Sequence, residues 1–147
     1  MDITINLKNG FRRYLKKYET MVPDVSYIEP TYFSGMNSIE VFKVLFEPPV
    51  KLIFYWGEDD YQGSLFVVYQ MDNVFFYIES RFGSCGGCDA FEACISIIEC
   101  NNEIESTFNE GQVCTDLNVI EFGKYSHPEL ISSWNAFKTK KNNENFI

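Results

Sequence analysis

The sequence predicts an α+β fold: a mainly antiparallel sheet of four or five strands with about three helices packed on it. Two observations carry this. Four apolar, β-branched or aromatic runs follow one another between residues 39 and 82, separated by connections too short for a crossover. Apolar residues at helical spacing recur on either side of that block. A length of 147 residues suits one domain, 1–147, and apolar residues at 46% can fill its core.

The first segment reads as an amphipathic helix. Leu7, Phe11, Tyr14, Leu15 and Tyr18 form its apolar stripe, Lys8, Arg12, Arg13, Lys16 and Lys17 its other faces, and Thr4 or Asn6 can cap it. Pro30, Ser34, Gly35, Asn37 and Ser38 then mark a loop.

Ile39–Phe46 is the first expected strand, and Pro48-Pro49 forces a turn because proline has no donor for a ladder. Val50–Trp56, Gln62–Gln70 and Val74–Phe82 follow as strands, the last two joined at hairpin length by Met71-Asp72-Asn73. These runs are apolar at nearly every position. Both faces of the middle of the sheet should therefore be covered.

A second helix is expected from Cys88 to Cys100, with Ala90, Phe91, Cys94, Ile97 and Ile98 inward and Asn101-Asn102 ending it. Residues 103–112 read as a polar connection with at most one helical turn, and Val113–Phe122 as another strand. Ser126-His127-Pro128-Glu129 is a helix start. Serine three residues before glutamate forms a capping box, and proline suits the first turn. Leu130, Ile131, Trp134 and Phe137 give this helix its buried side, and residues 139–147 form a polar, frayed tail.

Charge narrows the function. Twelve Lys and Arg stand against 21 Asp and Glu, a net charge of −9. A nucleic-acid binder needs a basic footprint; the basic clusters are Arg12-Arg13 with Lys16-Lys17, read as a solvated helix face ahead of a local basic one, and the tail Lys138, Lys140 and Lys141, while a negative field repels nucleic acids and anionic membranes and attracts basic protein surfaces. Asp2, Asn6 and Asn9 interrupt any secretory leader, and no apolar run approaches a bilayer span. A cytoplasmic location is expected. Five cysteines, an odd number, argue against a secreted disulfide framework.

The most specific segment is Phe82-Gly83-Ser84-Cys85-Gly86-Gly87-Cys88-Asp89, set between a strand and a helix. Four readings compete for it. A Cys-x-x-Cys at a helix N-terminus stabilises a thiolate and suits thiol–disulfide exchange, but the preceding meander lacks the βαβ order of thioredoxin-like proteins. Cys85 and Cys88 have zinc-ligand spacing, and Cys114 and the lone His127 are the residues that can complete a site. Glycine-rich backbone at a helix start can hold an anion, although no phosphate-loop pattern is present. The fourth reading is architectural and carries most weight: Gly83, Gly86 and Gly87 turn the chain, the cysteines pack, and Ser84 or Asp89 caps the helix.

Asp60-Tyr61-Gln62-Gly63-Ser64-Leu65-Phe66-Val67-Val68-Tyr69, followed by Ser80-Arg81-Phe82-Gly83-Ser84-Cys85-Gly86-Gly87-Cys88-Asp89, resembles small uncharacterised proteins of phages, bacteria and large DNA viruses. Those pair an aromatic strand starting near D-Y-x-G with a Y/F-G-S-C-x-G-C-D loop. The resemblance spans residues 60–89, roughly a fifth of the chain. It implies a shared local structure and a viral or mobile-element source, and it brings no activity with it.

The expected function is that of a small acidic, non-catalytic protein-binding module of inhibitor, immunity or viral accessory type, acting on a partner with a basic surface. Trp56, Glu58, Asp59, Asp60 and Tyr61 are its candidate binding residues. The alternative is a cysteine-centred function at Cys85 and Cys88, structural zinc binding or thiol exchange. No cofactor is expected in the first reading; zinc is the one candidate in the second.

Overall fold

Four strands form an antiparallel meander: β1 (Lys51–Gly57), β2 (Gly63–Met71), β3 (Val74–Phe82) and β4 (Gln112–Cys114), hydrogen-bonded in that order. Helices α1 (residues 3–10), α2 (Ile97–Glu110) and α3 (Pro128–Glu144) complete the expected α+β class. The computed structural model describes residues 2–10, 42, 48–57, 63–82, 97–123 and 126–144 of the chain. No helix among them is long and apolar enough to cross a membrane.

The hairpin β2–β3 is the centre of the sheet. Gly63 pairs with Phe82 and Met71 with Val74, leaving Asp72-Asn73 as a two-residue loop. Asp72 takes a left-handed φ of 54°, a conformation that Asp tolerates better than branched residues, and the Gln70 side-chain amide donates to its carbonyl at 2.9 Å. The Pro48-Pro49 turn before β1 is present, with a cis peptide between the two prolines. The register of β1 on β2 slips between Leu52 and Phe54. Ile53 therefore joins Phe54 and Trp56 against the same core cluster.

β2 is buried on both faces. Leu65, Phe66, Val67, Val68 and Tyr69 are consecutive and have almost no solvent access. Phe66 and Val68 face a cluster with Phe75, Ile120, Leu130 and Trp134, which α3 brings to the sheet. Rings of Phe54, Phe66, Phe122 and Phe137 surround the Trp134 indole with centroids 5.1 to 6.4 Å away. On the other face Tyr69, Phe76, Phe108 of α2 and Phe42 pack edge to face or tilted, and the Tyr69 hydroxyl donates to the Phe42 carbonyl. Ile3 and Leu7 of α1 are fully buried, and Lys8 pairs with Glu105 of α2 at 2.7 Å.

Several expected boundaries move. The cap of α1 is Asp2, whose carboxylate accepts from Thr4 N–H at 2.8 Å; neither Thr4 nor Asn6 serves. An acid complements the positive end of a helix better than a neutral cap. The expected strand Ile39–Phe46 lies outside the described residues except for Phe42, which is helical. Asn101-Asn102 does not stop α2, which runs on to Glu110. Burial of Thr107 and Phe108 outweighs the weak helix propensity of the asparagines. The strand expected over Val113–Phe122 ends at Cys114, because Asp116 caps a 3-10 turn, Leu117–Val119, through Asn118 N–H at 2.9 Å.

In α3, Leu130 and Trp134 are buried as expected and Phe137 is half-buried, but Ile131 points outward at 36% exposure. A stripe through 130, 134, 137 and 141 is one residue too far round to include it. The polar tail is helical through Glu144. Lys141 donates to the Gln70 side chain at 3.2 Å and lies over Phe75 and Phe137, and Lys138 lies over Trp134. Lysine stems and ammonium groups on ring faces dock a stretch that reads as solvated.

At Gly111, between α2 and β4, an added Cβ would overlap the Phe76 ring and come within 2.7 Å of Ile78. Gly111→Ala should lower the stability by about 1 to 3 kcal/mol through overpacking, read by urea denaturation. Trp134→Ala should cost about 3 to 5 kcal/mol. Ile131→Ala on the same helix should stay within about 0.5 kcal/mol.

Candidate functional site

One end of the sheet gathers Trp56, Glu79, Ser126 and His127. Trp56 is paired with Phe66, and Phe66 with Glu79, so the three form a row across β1, β2 and β3. The start of α3 lies over this row. Ser126 N–H closes a turn on the Gly123 carbonyl at 3.0 Å, and the Ser126 hydroxyl donates to the exposed Glu79 carboxylate at 3.2 Å. The next residue, His127, lays its imidazole 5.2 Å from the Trp56 ring at an interplanar angle of 41°. Both rings are half-buried.

His127 is the N-cap of α3. Its carbonyl accepts the first helical bond, from Ile131 N–H at 3.2 Å, and its Nδ1 accepts from Glu129 N–H at 3.1 Å. The capping box expected for Ser126 does not form, because Glu79 takes the serine hydroxyl and Pro128, not His127, opens the helix. An imidazole that accepts at Nδ1 carries its proton on Nε2. Ser126 is turned to Glu79 and His127 to the backbone, so these neighbours form no nucleophile–base relay.

Cys114 lies at the other end of the same face. It pairs with Phe75, four positions along β3 from Glu79, a displacement of about 13 Å at the rise of a strand. Zinc ligands sit about 2.0 to 2.3 Å from their ion, so Cys114 and His127 do not complete one site in this arrangement. Among the described residues no group of three metal-ligating side chains converges. Burial is the main cause that raises the Cys114 thiol above its ordinary range; a backbone hydrogen bond from Asp116 opposes this and the Asp116 carboxylate adds to it. The neighbouring Tyr77 phenol is raised by burial and by Cys114, and donates to the Gln112 side chain at 2.8 Å.

Of the residues singled out in the sequence, Trp56 and His127 are thus brought together, and Cys114 is held apart from them. Glu58, Asp59, Asp60 and Tyr61 lie outside the described residues, as do Gly83, Ser84, Cys85, Gly86, Gly87, Cys88 and Asp89. Glu79 was not among the candidates. Its signal was its alternation with Phe75 and Tyr77, which puts a carboxylate on an otherwise aromatic face. The Trp134 indole N–H is buried without a hydrogen-bond partner among the described residues, and the ring faces around it accept only weakly.

Comparison with protein-family models, with curated proteins and with solved structures finds no match.

His127→Ala should cost about 1 kcal/mol as a lost helix cap, whereas Ser126→Ala, which removes one exposed hydroxyl contact, should cost under about 0.5 kcal/mol. Thermal denaturation of the two variants distinguishes the capping residue. In a variant whose other cysteines are replaced by serine, Cys114 should react with iodoacetamide more slowly at neutral pH in the folded than in the urea-unfolded chain, because burial withholds the thiolate.

Proposed function

We propose that this chain is a small, acidic, non-catalytic binding module that acts on another protein through a basic surface, in the manner of an inhibitor, an immunity protein or a viral accessory protein. The observation that carries the reading is the half-buried Trp56 near the end of β1, in one row across the sheet with Phe66 and the exposed Glu79 carboxylate, and separated only by Gly57 from Glu58-Asp59-Asp60 in the sequence. An aromatic anchor braced from behind by the core and by His127 loses little side-chain entropy on docking. Carboxylates around such an anchor steer a cationic partner and fix its orientation. The net charge of −9 extends the same preference over the whole molecule. The arrangement needs no cofactor.

The test compares wild type with a variant carrying Trp56→Ala, Tyr61→Ala, Glu58→Lys, Asp59→Lys and Asp60→Lys, using crosslinking in the producing cell to isolate the partner and titration of the purified pair. Wild type should bind a protein with a basic surface, more weakly as salt rises, and the variant should lose about tenfold or more in affinity at unchanged fold. Equal binding by a folded variant would remove this surface from the interface.

A further inference from the structure

Among the described residues, three helical starts are capped in the same way. Asp2 Oδ1 accepts from Thr4 N–H at 2.8 Å, Asp116 Oδ1 from Asn118 N–H at 2.9 Å, and His127 Nδ1 from Glu129 N–H at 3.1 Å. Each acceptor is one bond beyond Cγ, and each donor lies two residues downstream. The imidazole nitrogen of His127 therefore occupies the place that a carboxylate oxygen holds at the other two. The difference is chemical. A carboxylate remains an acceptor down to strongly acidic pH, whereas imidazole is the side chain whose ordinary titration falls between about pH 5 and 8. Once protonated, both of its nitrogens donate, and neither can accept from a backbone N–H.

We propose that His127 is a proton-operated cap. In its neutral form it locks the first turn of α3 and braces Trp56; in its protonated form it releases Glu129 N–H and turns to a new partner. The surroundings supply the alternative partners. From β3, the Glu79 carboxylate is held one residue away by Ser126; from α3 itself, Glu129 contributes a second carboxylate; from β1, the facing group is the uncharged Trp56 ring, whose π face attracts a cation. Protonation thus exchanges a backbone cap for contacts with carboxylates and a ring, and the end of the sheet rearranges without loss of the fold. The device stands on these contacts alone, whether or not the same end binds a partner.

His127 is the single histidine of the chain, so its titration can be followed without ambiguity in the full-length ¹⁵N-labelled protein. Across that titration the hydrogen-exchange protection factor of the Glu129 amide should fall about fivefold, the magnitude of a lost cap. The indole cross-peak of Trp56 should move with the same midpoint while that of the buried Trp134 stays in place. In His127→Asn, whose amide oxygen caps without titrating, the Glu129 amide should keep its protection over the same range. An unchanged Glu129 protection factor in wild type would overturn the proposal, and so would an equal fall in His127→Asn.

Discussion

Five consecutive residues of β2, Leu65 to Tyr69, are shut off from water, and successive side chains of a strand point to opposite faces. Such a strand needs cover above and below, and the rest of the chain supplies it. α3 closes the face of Phe66 and Val68; Phe42 and Phe108 of α2 close the face of Tyr69 and Phe76. Sequence order follows from the same need. β1 to β3 are made by hairpin connections, α2 then takes the chain to the second face, and β4 returns to pair with β3. Gly111 stands at that return because a side chain there would overlap the Phe76 ring and crowd Ile78. Inside so dry a strand a hydroxyl must find an acceptor. Tyr69 reaches the Phe42 carbonyl, and burial holds its phenol far above the ordinary range.

The aromatic filling also bears on the electrostatics. In a chain with 12 cationic and 21 acidic side chains, the cations would be expected to neutralise neighbours. Lys8 does so with Glu105. Lys138 and Lys141 instead lie over Trp134, Phe75 and Phe137, where they dock the C-terminal part of α3. Both lysines thus serve the packing of α3, while the net negative charge follows from composition.

Much of the fold was legible in the sequence, and particular residues show where legibility stopped. β3 was bounded by its own apolar run, and the β2–β3 connection, read as Met71-Asp72-Asn73, to within one residue, because hairpin chemistry is local. The continuation of α2 was hidden by Asn101-Asn102. Their propensity signals a stop, while the contrary signal, Ile104 and Phe108 at helical spacing from Ile97, gains force only once Phe108 meets Phe42 and Phe76. Ser126 followed by Glu129 reads as a capping box until Glu79, on a distant strand, takes the serine hydroxyl. Trp56 and His127 were each singled out, for unrelated reasons. Their contact was invisible because it depends on where α3 lands on β1, a tertiary fact no local pattern encodes.

That landing ties the candidate surface to the core. Trp56 touches the central cluster on one side and His127 on the other; His127 begins the helix whose next turns bury Leu130 and Trp134 over the same sheet. A displacement of the first turn of α3 therefore reaches Trp56 directly, whereas the middle and end of the helix are held independently by Trp134 and by the lysines. The first of these anchors is half-exposed and rests on the His127 cap rather than on ring packing. Local adjustment at that anchor is thereby separated from global unfolding, which is the condition for a surface to change shape while the domain beneath it stays folded.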